Sequence, residues 1–342
     1  MDKFNEIKVS VLILTYNHEK FIKKAIESVL NQKTDFEFEL IIADDNSTDT
    51  TQNIIIETLA SIATTSKVRY IRNAENLGVM RSWRNIHNMI CGQYFAICEG
   101  DDYWIDELKL QKQVDFLDTN QSFSICFHNV KVDFIDIPQA NYLLNDGLVK
   151  DVFTLDDLIG NKEIWFMATA SLMIRTNSLK SIPDWVIKSK SGDIPLIILA
   201  SLHGKIKYLP NVMAVYQKHS AGMSMTDHKD DTVFLKNRIF MYRMINKETR
   251  YRYNRKLREN IASYYYLMLS AKQLRNSYFK KLIISFYYIF LTFPNTPQLK
   301  SVLKDHIIPL WAIKLSRILK RKLGLIPLND AKYGKNASIQ EL

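Results

Sequence analysis

Three carboxylates fall within four positions in Glu99-Gly100-Asp101-Asp102. They follow Gly92-Gln93-Tyr94-Phe95-Ala96-Ile97, which reads as a short buried strand, and precede Asp106 to Leu117, which reads as a helix. Carboxylates this close raise one another's cost of ionisation. A chain keeps such a group when the charges face water or when a cation neutralises them. Hard divalent cations take oxygen ligands, and Mg²⁺ in particular is held by one or two carboxylates together with substrate phosphates. The carboxyl end of a strand in an open α/β sheet is also where ligands bind. Taken alone, the cluster fits a solvated acidic loop equally well, so the surrounding elements must decide.

Those elements alternate. Lys8 to Thr15 is a nearly continuous apolar run that suits a strand buried on both faces, and it ends in the polar turn Thr15-Tyr16-Asn17-His18. A helix follows over about Glu19 to Asn31, then a strand from Glu37 to Ala43 that ends in Asp44-Asp45-Asn46-Ser47-Thr48-Asp49. Ser47 or Thr48 is placed to cap the next helix. A third strand is predicted over Lys67 to Arg72, and a helix from Leu77-Gly78 to about Ile90 leads into the acidic strand. Strand-helix alternation with short connections implies an α/β fold with a largely parallel sheet. Right-handed crossovers then bring Thr15, Asp45, Asp101 and Asp102 to one edge, about 85 residues of chain apart.

Further on, a strand is expected over Phe123 to Phe134, loop over 136–150, a short helix near Leu155 to Ile159 capped by Thr154, and a strand from Phe166 to Ile174. Gly192-Asp193-Ile194-Pro195 opens a helix to about Leu202, with Gly204 read as its left-handed cap. Short strands are expected at Ile206 to Tyr208 and Val212 to Tyr216. From about Asp227 the character changes: Arg238 to Ser277 is rich in Tyr, Arg and Lys, Leu282 to Phe293 is apolar and aromatic, and Ile307 to Ile326 is amphipathic and basic.

The charge follows this division. The 342-residue chain has a net charge of +10, yet from Lys229 onward 23 Lys and Arg stand against 7 Asp and Glu, while the first 228 residues carry 23 basic and 29 acidic residues. Such asymmetry marks a basic attachment region beside an ordinary domain. The three cysteines, Cys91, Cys98 and Cys126, show no metal-ligand spacing and read as buried free thiols of a reducing compartment. The charged start Met1 to Glu6 lacks an apolar signal core, so a cytoplasmic location is expected.

Five stretches in register resemble glycosyltransferase family 2: Val9 to Asn17, Ile26 to Gln32, Ile42 to Asp49, Asn76-Leu77-Gly78-Val79 and Glu99 to Trp104. The resemblance covers residues 8 to about 222 and leaves the tail out. It implies a glycosyltransferase-A fold, a Rossmann-like, largely parallel sheet flanked by helices. The expected division is a catalytic domain over 1–226 and a basic helical extension over 227–342. The implied reaction moves a sugar from a nucleotide diphosphate, usually a UDP-sugar, to an acceptor hydroxyl with inversion, using Mn²⁺ or Mg²⁺.

By position in the family, Thr15 touches the nucleobase through its backbone, with Tyr16 and Asn17 beside it, and Asp45 accepts from the base. Asp101 contacts ribose or sugar, and Asp102 is a metal ligand. Arg81 stands where an arginine could reach the nucleotide, or is a solvated helix arginine. Asp193 matches the general base and also suits the first turn of a helix. His219 matches a metal- or phosphate-contacting histidine. Gln217 departs from the family, which has Arg there. Tyr103 and Trp104 either pack beneath the loop or wall the sugar. His18, His87, His128, His203, His228 and His306 show no ligand spacing and are read as structural.

Two other readings compete within this frame. A sugar-nucleotide pyrophosphorylase wants a Gly-rich loop after the first strand, and no glycine precedes Gly78. A catalytically inactive nucleotide-sugar-binding scaffold would not need Asp102, Asp193 and His219 together. The interleaved apolar residues of the tail favour an anionic membrane surface over nucleic acid. The expected setting is peripheral, on the inner face of the cell membrane, with a saccharide or lipid-linked acceptor in cell-surface polysaccharide synthesis. A homodimer through the C-terminal helices is the other use of the same surface. The 12-residue run Leu282 to Phe293 is too short to span a bilayer, which takes about 20 residues.

Overall fold

The computed structural model describes residues 7–160, 166–220, 222 and 231–309, with 312, 315, 316, 318–320 and 323 beyond them. It begins with β1 (Val9–Thr15), α1 (Ile22–Leu30), β2 (Phe38–Asp44), α2 (Thr51–Ser61), β3 (Lys67–Arg72), α3 (Val79–His87) and β4 (Tyr94–Ile97). β5 (Tyr103–Trp104), α4 (Lys109–Thr119), β6 (Phe123–Phe134), β7 (Tyr142–Leu143), β8 (Val152–Phe153) and α5 (Leu155–Leu158) follow. Then come β9 (Met173–Arg175), α6 (Asp193–Ser201), β10 (Lys205–Lys218), α7 (Thr232–Glu248), α8 (Asn254–Leu269), α9 (Tyr278–Thr292) and α10 (Leu299–Val302).

The sheet runs β3-β2-β1-β4-β9-β6-β10-β5. β1 pairs in parallel with β2 and β4, and β6 with β10, whereas β9 is antiparallel to both β4 and β6. Every residue of β1 is buried, as its apolar run requires. The pleat sends alternate side chains to opposite layers. Val9, Val11 and Ile13 meet Ile22, Ile26 and Val29 of α1 together with Leu110 and Val114 of α4. Leu12 and Leu14 join Met80 and Trp83 of α3, Ile194 and Ile197 of α6, and Phe234, Leu235 and Ile239 of α7. The C-terminal helices therefore share a core with the sheet. The expected division at 226/227 falls within 223–230, outside the described residues.

Several expectations need correction. Phe166 to Ile174 is not one strand: a single turn of 3₁₀ helix over Thr169–Ser171, closed by Ser171 Oγ donating to Ala168 O, leaves only Met173–Arg175 extended. The two late strands are one, β10, with register shifts between Leu209 and Val212, where Pro210 can sit without breaking a ladder bond. Gly204 is not a left-handed cap. A Cβ there would lie 2.6 Å from Ser124 N, so glycine is required by close backbone approach. Neither Ser47 nor Thr48 caps α2; Asp49 Oδ1 accepts from Thr51 N instead. Cys91 is exposed, whereas Cys98 and Cys126 are buried, and all three are free. Among the described residues no helix is long and apolar enough to cross a membrane. Much of Ile307 to Ile326, including Lys314, Arg317, Arg321 and Lys322, lies outside the described residues.

Candidate active site

The carboxyl ends of β1, β2 and β4 are stitched together by backbone. Asp45 N donates to Thr15 O, Gly100 N to Leu14 O and Cys98 N to Leu12 O, each at 2.9 Å. Thr15, Asp45 and the acidic loop thus lie on one edge, as the alternation predicts. Asn17, at φ +56°, turns the chain out of β1; its N–H donates to Ser47 Oγ and its Oδ1 accepts from Thr48 N at 2.8 Å. Ser47 serves as this bridge rather than as a helix cap. Tyr16 beside it is exposed.

Asp45 is buried and accepts four hydrogen bonds. Oδ1 takes Asn73 Nδ2, Leu77 N and Ser82 Oγ at 2.7–2.9 Å, and Oδ2 takes Gly78 N at 2.8 Å. A carboxylate has about four lone-pair sites, two per oxygen, so Oδ2 keeps acceptor capacity for a ligand. Gly78 enters α3 at φ +80°, a conformation glycine adopts without steric cost. Arg81 stands exposed in the first turn of α3, and among the described residues its guanidinium meets no carboxylate.

In the acidic loop, Asp102 is fully buried. Its Oδ1 accepts from Gln217 N at 2.9 Å, and its Oδ2 has no partner. Burial first, then Asp101 and Glu99, pushes its pKa well above the usual carboxylate range. Burial pushes Glu99 up to about 8, with Asp101 and Asp193 adding to the rise. Asp101 goes the other way: burial alone would raise it, but the His219 hydrogen bond and the His18 imidazole hold it below its ordinary value. His219 Nε2 donates to Asp101 Oδ2 at 3.1 Å, and His18 Nε2 lies 3.9 Å from the same oxygen. Gly100 has no room for a side chain. A Cβ would sit 2.7 Å from Thr15 Cβ, Thr15 Oγ1 and His18 Nδ1.

Asp193 opens α6, where its Oδ1 accepts from Ile194 N at 2.8 Å. Its pKa is raised by desolvation against that hydrogen bond and against Arg238 of α7. Arg238 also lies over the Phe234 ring, 4.9 Å from its centroid. Trp104 packs beneath the acidic loop, its Nε1 donating to Ala170 O at 3.0 Å with Lys109 Nζ 3.9 Å from the ring centroid. Tyr103 is half-buried under Lys24 Nζ, 3.4 Å from its ring centroid.

Two residues of the site are not marked as such by the sequence. His18 reads as structural there, and the signal available is its place directly after the Thr15-Tyr16-Asn17 turn. Arg238 reads as part of the basic tail; nothing local distinguishes it from its neighbours. Gln217, which departs from the family's Arg, holds the loop by donating from its N–H to Asp102 and from Nε2 to Asp101 O.

The donor set suits a hard divalent cation in part. Asp102 Oδ2 is an orphaned buried oxygen next to the Asp101 carboxylate, the kind of atom a cation would satisfy. Among the described residues no three His, Cys, Asp or Glu side chains form a ready cage. A cation that completes its sphere with phosphates and water needs no such cage.

The chain is similar to known proteins in family, in sequence and in fold. The family model described as glycosyl transferase family 2 matches residues 10–182. The chain is 34% identical over 231 residues to the uncharacterized protein Rv1520 of Mycobacterium tuberculosis, which covers 67% of this chain and 64% of the relative. It thus spans a little under two thirds of that relative's length. It is 33% identical over 142 residues to the Escherichia coli UDP-Glc:alpha-D-GlcNAc-diphosphoundecaprenol beta-1,3-glucosyltransferase WfaP, covering 39% of this chain and 53% of that protein. The crystal structure of S. aureus TarS 1–349 in complex with UDP-GlcNAc superposes with a TM-score of 0.58 at 20% identity, over 86% of this chain and 84% of that one. At that identity the likeness shows the fold.

Proposed function

This chain belongs to glycosyltransferase family 2 and is a glycosyltransferase, and from that premise we propose that it moves a sugar from a UDP-sugar to a hydroxyl of a saccharide or lipid-linked acceptor, with inversion. The observation that carries the reading is the buried, unpartnered Asp102 Oδ2 beside Asp101, with Asp193 near enough to perturb Glu99. The UDP-bound structural neighbour and the UDP-Glc named for the E. coli relative support the donor class. The diphosphoundecaprenol in that name supports a lipid-linked acceptor and a role in surface polysaccharide synthesis.

In this reading Thr15, Tyr16 and Asn17 frame the nucleobase, and the spare acceptor site of Asp45 takes its imide N–H. Asp101, fixed by His219, faces the ribose and the donor sugar, and Arg81 reaches toward the nucleotide from α3. Asp102 and His219 would hold Mn²⁺ or Mg²⁺, which supplies positive charge against the departing diphosphate. Asp193 takes the proton of the acceptor hydroxyl as that oxygen attacks the anomeric carbon and the bond to the diphosphate breaks. A raised pKa makes Asp193 a better proton acceptor than an ordinary aspartate, and Arg238 acts against that rise. Burial, Asp101 and Asp193 push Glu99 up to about 8, which eases the repulsion within the cluster. The protein works in the cytoplasm, peripherally at the membrane's inner face, through the basic extension after 227.

Calorimetry with UDP tests the donor site. Binding is expected to require Mn²⁺ or Mg²⁺ and to be lost with EDTA and in Asp102→Asn. Equal affinity with and without metal, or an unchanged metal requirement in the variant, overturns the assignment.

A further inference from the structure

α9 has two unlike faces. Ile284, Ser285 and Tyr288 are buried against α8, where Tyr265 stacks on Tyr287 at 5.3 Å and Tyr266 packs on Tyr288 at 5.3 Å. On the other side Phe279, Ile283, Phe286, Phe290 and Phe293 are spaced four, three, four and three residues apart, which lines them up on one stripe. They are 77, 56, 58, 72 and 75% exposed. The helix Tyr278–Thr292 contains no Asp or Glu.

Cations border this stripe on both sides. A hollow of about 450 Å³ beside Ile283 is edged by Lys236 and Arg243 of α7 and by Lys280. A second, of about 460 Å³, lies between Arg258 and Phe286, Phe290 and Phe293. There Arg258 donates to Phe290 O at 2.9 Å and its guanidinium lies 5.7 Å from the Phe290 ring centroid. The nearby acid Asp231 is engaged, capping α7 through Val233 N and accepting from Gln273 Nε2.

We propose that this stripe seats the enzyme in the surface of an anionic bilayer, α9 lying in the membrane plane. The phenylalanines enter the boundary of the acyl chains, and Lys236, Arg243, Lys280 and Arg258 meet lipid phosphates at headgroup level. The inference rests on the peripheral-attachment part of the functional reading and assigns the contact to one face. Charge decides the occupant. A twofold contact between two copies places the same patch on both partners, so the four cations would face their own kind, whereas an anionic surface complements them. At about 1.5 Å per residue, a 15-residue helix falls short of the roughly 30 Å hydrocarbon core.

Sedimentation of the full chain with phosphatidylcholine vesicles containing phosphatidylglycerol tests the face. Wild type is expected to bind at low salt, to be released at high salt, and to ignore phosphatidylcholine alone. The double variant Phe286→Ser, Phe290→Ser is expected to lose at least about tenfold in partition coefficient, with circular dichroism and UDP affinity unchanged. Independently, Phe290→Trp should gain emission that brominated acyl chains quench beyond the wild-type level. Unchanged partition of the double variant overturns the inference and moves the contact elsewhere on the tail. So does a dimer in analytical ultracentrifugation that the double variant abolishes, or a Phe290→Trp emission that brominated lipid does not reach. Protein that binds UDP and ignores vesicles refutes this inference together with the peripheral attachment it rests on and leaves the donor reading standing; protein that binds vesicles and ignores UDP refutes only the donor reading.

Discussion

At the carboxyl edge of the sheet Asp45 meets four donors and Asn17 bridges two loops, whereas along the outer stripe of α9 five large apolar side chains stand more than half exposed. The edge is assembled by the protein itself, down to a glycine with no space for a methyl group. The stripe is left open, with charges around it but little against it. Chemistry on a sugar phosphate needs atoms held within fractions of an ångström, so the edge is over-determined. A fluid surface has no fixed atoms to match, so regular spacing and a charged border are enough. Substitutions should separate the two: edge variants alter turnover, donor binding or stability and leave vesicle binding alone.

Asp193→Asn gives the largest expected effect. Turnover should fall about 10²–10⁴-fold, the usual size of a general-base contribution, while UDP affinity and vesicle partition stay as they are. A variant keeping more than about a tenth of wild-type turnover would remove Asp193 from that role.

Asp45→Ala comes next. It strands Leu77 N, Gly78 N and the Ser82 hydroxyl, and bonds to a charged acceptor contribute about 1.5–3 kcal/mol each without adding fully. A loss of about 3 kcal/mol in urea unfolding is expected, together with UDP affinity. A near-neutral result would mean that water replaces the carboxylate, and that the edge is less rigid than the stripe comparison requires.

Gly100→Ala should cost about 1–3 kcal/mol, the usual range for overpacking, because Thr15 and His18 must give way to the 2.7 Å contacts. Weaker UDP binding should accompany it. Retained affinity at reduced stability would show that the Thr15 backbone does not frame the base.

The last expected effect is a slope with pH and not a loss of function, and it belongs to Lys109, buried below the edge with Nζ donating to Gln113 Oε1 at 2.9 Å. Burial lowers its pKa from 10.5 to about 7. Between those values the unfolded chain binds more protons than the folded one, so stability should rise with pH from about 7 toward 10.5. Below about 7 the penalty for the buried ammonium is fully developed. Lys109→Met should flatten that rise, which urea midpoints at pH 7, 8 and 9 would show. A rise of the same size in the variant would place the titration elsewhere.

Much of the edge was legible because its parts are local and ordered along the chain. An unbroken apolar run makes β1, polar turns end it and β2, and chirality puts their ends together. The parts that were not legible depend on distant partners. His18 acquires its role from Asp101 and Gly100, in the loop after β4. Arg238 belongs to a helix whose composition reads as attachment, and only packing against α6 brings it near Asp193. Gly204 follows a helix as a capping glycine would, but the backbone of β6 decides its geometry. The Leu282 to Phe293 run was visible as apolar; which of its side chains face α8 and which face outward depends on how α9 docks.

The shared core of β1 with α6 and α7 has a consequence for how the chain is made. The parallel quartet β3-β2-β1-β4 is complete by Ile97, so it can pair early in synthesis. Its Leu12 and Leu14 side is covered at first only by α3, and Phe234, Leu235 and Ile239 emerge some 140 residues later. At about 5–20 residues per second, that side of the nascent sheet stays partly bare for on the order of ten to thirty seconds. β6 likewise waits for β10 before its own parallel partner exists. A ribosome-bound fragment ending near residue 200 should therefore recruit trigger-type or Hsp70-type holdases and resist protease poorly, and one extended past α8 should release them.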